Sequence, residues 1–225
     1  MTTSATVIRR AQSPAGSPQS PAGLLDKRMF ALFPIPMFMG IIPNEWILEP
    51  IENEIRALKG DHRRPWMSAD DLHRLPVMRP LIDLILTEAG SVLDFLAVER
   101  ASHYVSNMWA NVTAANHRGE LHVHPNSLLS GLVYIKAPPN CSPTLFVSPR
   151  RFNKGLEPRY TKKNEYNSDF MLMPAIKGRM LIWPSHLPHA AEHDVGVSTE
   201  DRIVVSFNVM IRACIDIPTA RLNLT

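Results

Sequence analysis

Three histidines stand at spacings that suit the coordination of one metal ion. His122 and His124 are two residues apart within Glu120–Tyr134, and His189 closes the segment Gly178–His189. The first stretch is typical of a β-strand, and alternate residues of a strand point to the same face, so both imidazoles can reach one point. Imidazole is a good ligand for zinc, iron, copper and nickel. The pattern therefore predicts a metal site built from His122, His124 and His189.

Short β-like segments are the elements that must position these histidines. After Ser102 the sequence alternates apolar runs with turn residues such as Pro138-Pro-Asn140. The predicted strands are Tyr104–Val112, Glu120–His124, Gly131–Lys136, Leu145–Val147, Asp169–Met173, Arg179–Trp183, Ala190–His193 and Arg202–Ile211. A series of short, evenly spaced strands is typical of a sandwich or a jelly roll. The long polar segment Arg150–Asn167 is predicted to be a lid or a disordered loop.

Two amphipathic segments upstream predict the helical part of the fold. Apolar residues recur at spacings of three and four in Asn44–Leu58 and in Arg79–Ala97, and Gly90 is a candidate break in the second. The prolines of Phe30–Ile42 favour an extended edge strand or a loop. Because an amphipathic helix buries its apolar stripe against another element, we expect both helices on one face of the sheet. The predicted fold class is α+β, and mainly β.

Composition and charge narrow the classes of partner. The chain has 225 residues, 45% of them apolar, and a net charge of +3, which fits one large domain or two small ones. It has no basic stripe interleaved with aromatic residues, so we expect no nucleic-acid partner. The apolar stretch Met29–Pro43 is short and interrupted by prolines, so it cannot span a bilayer as one helix. A homodimer is left open.

The N-terminal region and the cysteines bear on domain organisation and location. Residues 1–25 are rich in Ser, Pro, Ala and Gly and are predicted to be a disordered tail, followed by a single domain over 26–225. The tail has no compact apolar core with a small-residue cleavage site, which argues against a secretion signal. Cys141 and Cys214 do not make a disulfide framework. We therefore expect a cytoplasmic protein.

Four motifs follow one another along the chain, and together they are more specific than any one of them alone. They are a strand that carries Trp109 and Asn111, His-x-His-Pro-Asn-Ser-x-x-Ser-Gly-x-x-Tyr from His122, Gly-x-x-x-x-x-Pro-Ser-x-x-x-His from Gly178, and Asp-Arg-Ile-x-x-Ser-Phe-Asn from Asp201. This order resembles the iron(II)/2-oxoglutarate-dependent oxygenases, in particular a bacterial branch with a His-Pro-Asn-Ser motif. The resemblance extends from Phe30 to Arg212.

The resemblance implies a fold and a set of cofactors. The fold would be a double-stranded β-helix, jelly-roll and cupin-like, with two or more helices on one sheet face. The site would use Fe(II), 2-oxoglutarate and O2 to oxidise a small molecule. His122 matches the first histidine of the family motif and His189 the distal one. His124 stands where the family usually has Asp or Glu, so the predicted site departs from the usual two histidines and one carboxylate.

The resemblance also implies residues for the co-substrate and the substrate. Arg202, thirteen residues after His189, matches the basic residue that pairs with the far carboxylate of 2-oxoglutarate, which its planar fork suits. Ser206, Asn126 and Tyr134 are the other candidate neighbours of the co-substrate, and Trp109 and Asn111 are candidates for substrate binding. The family often has a hydroxyl two residues after the arginine, where this chain has Val204.

Two other functions remain open from the sequence. Three histidines with one open position also fit a metalloenzyme that uses no 2-oxoglutarate, either a cupin-type dioxygenase or a zinc hydrolase or lyase. The usual cupin acid is missing, because Leu128 and Leu129 occupy its place. The second open function is a non-catalytic β-barrel binding module, in which the histidines would be structural. The leading prediction is an Fe(II)- and 2-oxoglutarate-dependent dioxygenase that hydroxylates, desaturates or cyclises an amino acid or a secondary-metabolite intermediate.

Overall fold

The structure, a computed structural model, describes residues 32–151, 155–192, 200–215 and 219–224. The segment 1–25, predicted to be a disordered tail, lies outside the described residues. The chain divides into two units, Met1–Phe33 and Pro34–Thr225, and the fold described below is that of the second. Within the described residues, no helix is both long enough and apolar enough to cross a membrane.

The described part of the second unit contains ten strands and two α-helices. In chain order they are β1 (Phe38–Ile41), α1 (Glu45–Lys59), β2 (Trp66–Met67), α2 (Arg79–Phe95), β3 (Ser102–Ala114), β4 (Leu129–Lys136), β5 (Thr144–Val147), β6 (Phe170–Met173), β7 (Arg179–Pro184), β8 (His189–Ala191), β9 (Asp201–Ile215) and β10 (Leu222–Leu224). Two short 3-10 helices, Leu72–Arg74 and Pro76–Met78, lead into α2. Both predicted α-helices are confirmed to within two residues at each end.

Two antiparallel sheets face each other across a shared interior. The larger sheet has the order β1-β7-β4-β9-β3-β2, with β10 paired to β9, and the smaller has the order β6-β5-β8. The longest pairing joins β3 to β9, from Ser102 opposite Arg212 to Ala114 opposite Asp201. Because the chain crosses repeatedly between two such sheets, the fold is a double-stranded β-helix. The predicted fold class, α+β and mainly β, is confirmed.

The two α-helices cover one face of the larger sheet. Ile51 and Ile55 of α1 are fully buried, as are Leu81 and Ile85 of α2. These side chains belong to one core cluster with residues of the larger sheet such as Val133. Gly90 does not break α2, since the helix is continuous through it.

The opposite face of the larger sheet forms the interior between the sheets. A second core cluster there joins large-sheet residues to Phe146 of β5; its buried members are Leu132, Tyr134, Phe146, Leu181, Trp183, Leu187 and Val204. The polar residues of β3, β4 and β9 on this same face surround the candidate site. The fold therefore separates a structural core beneath the helices from a functional interior between the sheets.

Two local predictions differ from the structure. Glu120–His124 is not a strand; it forms only one bridge, in which the backbone N–H groups of His122 and His189 each donate to the other's carbonyl at 3.0 Å. The loop then turns at Asn126, whose φ is 61°, a left-handed conformation that Asn tolerates. β8 is shifted toward His189 from the predicted Ala190–His193, and His193 lies outside the described residues.

The segment Arg150–Asn167 contains no strand in the part of it that the structure describes. Residues 152–154 lie outside the description. Its second half is ordered locally by Asn164 and Asn167, because the Oδ1 of each accepts a backbone N–H of the other at 3.2 and 2.8 Å. The prediction that this segment is a lid remains a prediction.

Candidate metal and co-substrate site

The three histidines predicted from spacing lie side by side at the mouth of the interior. One ring nitrogen from each of His122, His124 and His189 lies within 4.8 Å of the other two. His122 is exposed, His124 is half-buried and His189 is 5% exposed, so the cluster spans from solvent to core. The rings of His122 and His124 are stacked, with centroids 5.1 Å apart, although they lie on a loop rather than on a strand.

Backbone carbonyls fix the tautomer of two of these rings. Nδ1 of His122 is 2.8 Å from the carbonyl oxygen of Glu120, and Nδ1 of His189 is 3.0 Å from that of Leu187. A carbonyl oxygen can only accept a hydrogen bond, so both Nδ1 atoms must carry the proton. The lone pair is then on Nε2, which is the arrangement usual in metal-bound histidines.

Asn208 fixes the tautomer of the third ring. Its Oδ1 is 2.6 Å from Nδ1 of His124, and its Nδ2 donates to Oδ1 of Asn107 at 2.9 Å, which orients the amide. Oγ of Ser130 donates to the same Asn208 oxygen at 2.7 Å. Nδ1 of His124 is therefore the donor, and its Nε2 also carries a lone pair. In the neutral tautomer that these contacts select, each of the three histidines has its lone pair on Nε2.

A row of hydroxyl groups joins the two loops that carry the histidines. Oγ of Ser185 is 2.8 Å from Oγ of both Ser127 and Ser130, and its carbonyl accepts the backbone N–H of His124 at 3.0 Å. These serines belong to the His-Pro-Asn-Ser-x-x-Ser and Pro-Ser motifs of the sequence. The motif serines therefore hold the histidine loops together, a role that sequence reasoning did not assign.

Burial keeps two of the imidazoles neutral. It lowers the pKa of His189 to about 4, against a backbone hydrogen bond to Leu187 that acts in the opposite direction. Burial also lowers the pKa of His124, and the hydrogen bond to Asn208 partly offsets this effect. A metal ligand must be deprotonated to bind. Both side chains are consequently in the ligand form at neutral pH.

A cavity of about 630 Å³ extends from the histidines along the inner faces of β3 and β9. Alternate residues of β9 line it, namely Arg202, Val204, Ser206 and Asn208. Trp109 and Asn111 line it from β3, and the Trp109 ring lies 5.5 Å from that of His124. Arg202 and Ser206 are four residues apart on β9, and because a strand has a period of two, both side chains lie on the cavity wall.

Arg202 is a buried cation with no anionic partner among the described residues. It is 5% exposed, and its Nε contacts no hydrogen-bond acceptor of the described chain. The guanidinium carbon lies 5.2 Å from the centre of the Tyr134 ring, and the Cys141 thiol contacts the side chain as well. An uncompensated charge in the interior is costly. An anion bound beside Arg202 in the cavity would offset this cost.

His117 is a cavity residue that the sequence presents only as an ordinary polar residue. It lines the cavity, and its pKa is lowered first by burial and then by the nearby charge of Arg202. Nothing in its sequence context marks it, because it lies in the Asn116-His-Arg-Gly119 turn. Only the fold brings it close to the arginine.

Two of the predicted co-substrate neighbours lie away from the cavity surface. Tyr134 is fully buried, and its hydroxyl is 2.6 Å from Oγ1 of Thr144, so it supports Arg202 from behind. Asn126 is exposed in the left-handed turn after the second histidine and is not part of the lining. Neither placement gives a direct contact with a molecule in the cavity.

Solved structures share the fold at low sequence identity. A prolyl-4-hydroxylase from Pseudomonas putida has a TM-score of 0.55 at 9% identity, over 80% of this chain and 94% of its own. HygX from Streptomyces hygroscopicus, solved with nickel and 2-oxoglutarate bound, has a TM-score of 0.55 at 13% identity, over 79% and 83%. SnoN, a non-haem α-ketoglutarate-dependent epimerase from nogalamycin biosynthesis, has a TM-score of 0.57 at 14% identity, over 79% and 77%. These similarities establish the fold.

The fold and the three-histidine cluster agree with a family match found over part of the chain. Residues 107–208 match the family described as "Putative 2OG-Fe(II) oxygenase", a segment that includes the three histidines, Arg202 and Asn208. The resemblance to the iron(II)/2-oxoglutarate-dependent oxygenases is thereby confirmed over this segment, which is somewhat less than half of the chain. No curated protein matches the chain.

Proposed function

We propose that Nε2 of His122, His124 and His189 holds Fe(II), that Arg202 anchors 2-oxoglutarate, and that the enzyme oxidises a small molecule. The observation that carries this proposal is the buried guanidinium of Arg202, which has no anionic partner among the described residues, in the same cavity as three convergent imidazoles. Guanidinium binds carboxylate through two parallel hydrogen bonds, which suits the end of a dicarboxylic acid.

Iron with its keto acid supplies the oxidising chemistry, in which 2-oxoglutarate, O2 and R–H become succinate, CO2 and R–OH. The chain supplies the geometry. Asn208 and two backbone carbonyls hold the three imidazole rings in one tautomer, and Arg202 holds the far end of the keto acid. Trp183 packs edge-on against His189, with ring centroids 4.8 Å apart, and keeps water from the inner side of the cluster.

His124 gives the site a different charge from the usual arrangement. A neutral imidazole in place of a carboxylate leaves the bound metal one unit more positive. Opposite charges attract more strongly in a partly buried site than in water, so this favours a dianionic co-substrate. A halogenation reaction would need a small residue at this position to admit a halide, and the ring of His124 fills it.

Arg202 also separates this proposal from the zinc alternative. A zinc hydrolase with three histidines activates a bound water and needs no buried cation in the same cavity. Keeping an unpaired guanidinium buried costs stability unless a ligand neutralises it. The placement of Arg202 therefore favours a carboxylate co-substrate.

The substrate is proposed to be a small molecule that enters beside β3. Trp109, Asn107 and Asn111 line that side of the cavity and offer one aromatic face and two amides. HygX has been solved with hygromycin B bound, and SnoK from nogalamycin biosynthesis is a carbocyclase, so relatives of this fold act on secondary metabolites by different reactions. We propose hydroxylation as the default outcome, with desaturation or cyclisation as the other outcomes, on an amino acid or a secondary-metabolite intermediate.

Succinate formation tests the proposal. The purified protein is loaded anaerobically with Fe(II), then given 2-oxoglutarate, ascorbate and O2, and succinate and CO2 are measured. Turnover that needs all three of iron, 2-oxoglutarate and O2 is the expected result, and protein loaded with zinc is the control. If the iron-loaded protein neither binds 2-oxoglutarate nor makes succinate, the proposed function is wrong.

A further inference from the structure

Thr113 of β3 carries a buried hydroxyl that is not satisfied within the part of the chain that the structure describes. Its side chain is 5% exposed, and Oγ1 has no hydrogen-bond partner among the described residues. A hydroxyl taken out of water without a partner costs free energy, so such groups are uncommon in folded proteins. The same residue lines the cavity that contains the histidines. The hydroxyl is therefore available to a molecule in that cavity.

Register places this hydroxyl beside the arginine. Thr113 of β3 is the direct antiparallel partner of Arg202 of β9. Side chains of directly opposed residues lie on the same face of the sheet, about 4.5–5.5 Å apart at Cβ. Arg202 is buried to the same extent, and its Nε also lacks a partner among the described residues. Two unpaired donors thus stand together on one wall.

From this pair we infer that Thr113 donates a hydrogen bond to the far carboxylate of 2-oxoglutarate, next to the contact made by Arg202. The inference rests on the proposed function, because it needs 2-oxoglutarate in this cavity. It also accounts for Val204, which stands where the resemblance leads one to expect a hydroxyl. Here the hydroxyl comes from the neighbouring strand instead of from the arginine's own strand.

The test compares two keto acids on the metal-loaded protein without O2. Binding of 2-oxoglutarate and of 2-oxobutyrate, which has no far carboxylate, is measured by calorimetry. Thr113→Val keeps the shape of the side chain and removes the hydroxyl. It should weaken the binding of 2-oxoglutarate about tenfold or more, which is the usual effect of losing a hydrogen bond to a charged group. Binding of 2-oxobutyrate should change less than about twofold, because that molecule does not reach the hydroxyl.

Thermal unfolding gives a second readout. Because the hydroxyl has no partner among the described residues, Thr113→Val should raise the melting temperature of the ligand-free protein. The same substitution should weaken the binding of the co-substrate. Ser142 provides the matched control, since its hydroxyl is also buried and unpaired but does not line the cavity. Ser142→Ala should raise the melting temperature without affecting 2-oxoglutarate.

A rescue variant separates hydrogen bonding from packing. Val204→Ser adds a hydroxyl on the same face of β9, two residues after Arg202, and should recover most of the affinity that Thr113→Val loses. Thr113→Ser should bind like the wild type. If Thr113→Val and Thr113→Ala both bind 2-oxoglutarate within twofold of the wild type, the inference is wrong while the proposed function stands. If the wild type itself does not bind 2-oxoglutarate, the proposed function fails, and the inference fails with it.

Discussion

Nδ1 of His124 donates a hydrogen bond to Oδ1 of Asn208 at 2.6 Å, and this contact selects the ring nitrogen that faces the cavity. The two residues are 84 positions apart in the sequence. Asn208 is itself oriented by Asn107 on the neighbouring strand. The histidine that we propose in place of the usual carboxylate ligand is therefore supported by side chains of β3 and β9.

Removing that support should weaken metal binding. Asn208→Leu leaves Nδ1 of His124 without its acceptor, so the ring can exchange tautomer and rotate, and metal affinity should fall about 10- to 100-fold. Asn208→Asp keeps an acceptor and should retain most of the affinity. Chelator competition with Fe(II) measures both. Ser206→Ala, on the same strand face, is the control. Equal affinity of Asn208→Leu and the wild type would show that Asn208 does not position His124.

Each of the three histidines should be needed for metal. Replacement of His122, His124 or His189 by Ala removes one of three ligands, so the protein should retain little metal after dialysis. Metal content per chain, measured by mass spectrometry, is the readout. His186 is the matched control, because it lies three residues from His189 but is exposed and outside the cluster. A variant of any of the three that keeps full metal content would remove that residue from the site.

The convergence of the histidines was predictable from spacing, although the predicted strand was wrong. The side chains of His122 and His124 point to the same side when the backbone between them is extended. The two backbone hydrogen bonds between His122 and His189 hold this part of the loop extended. The alternation of Arg202 and Ser206 was predictable for a similar reason, since a strand has a period of two wherever it lies. The local sequence pattern was therefore enough to predict the histidine cluster and the shared face of Arg202 and Ser206.

Contacts that depend on strand register could not be predicted from the sequence. Thr113 faces Arg202 only because β3 pairs with β9 in one particular register, and a shift of one residue would point it into the helical core. Tyr134 lies beside Arg202, as a candidate neighbour of the co-substrate should, but its hydroxyl is 2.6 Å from Oγ1 of Thr144 and the residue does not line the cavity. The sequence gives no indication of that hydrogen bond, because Tyr134 and Thr144 meet only through the packing of β4 on β5.

Arg202→Leu should separate co-substrate binding from metal binding. The variant loses the guanidinium that receives the carboxylate, so the dissociation constant for 2-oxoglutarate should rise about 10- to 1,000-fold, while metal content stays near that of the wild type. Calorimetry and metal analysis on the same samples check this. Arg179 is the control, since it also has a buried, unpaired Nε but does not line the cavity. Unchanged 2-oxoglutarate binding in Arg202→Leu would contradict the assignment.

The last prediction uses His117 as a reporter of the charge at Arg202. Burial, and then the positive charge of Arg202, lower the pKa of His117 from its ordinary value of 6.5. A dianion bound at Arg202 would offset that charge and make the imidazolium form of His117 less costly. Binding of 2-oxoglutarate should therefore raise the pKa of His117, and Arg202→Leu should raise it in the absence of any ligand.

Because proton binding and ligand binding are linked, the shift in the pKa of His117 predicts that the binding of 2-oxoglutarate depends on pH. Because the complex holds the His117 proton more tightly than the free protein does, 2-oxoglutarate should bind more tightly as the pH falls through the two pKa values of His117, and the gain should be absent at pH 8. Proton NMR of the zinc-loaded, diamagnetic protein measures the pKa, and calorimetry between pH 8 and pH 6 measures the affinity. In His117→Asn the contribution of this residue should disappear. A pKa of His117 that does not respond to 2-oxoglutarate would show that the anion does not bind at Arg202.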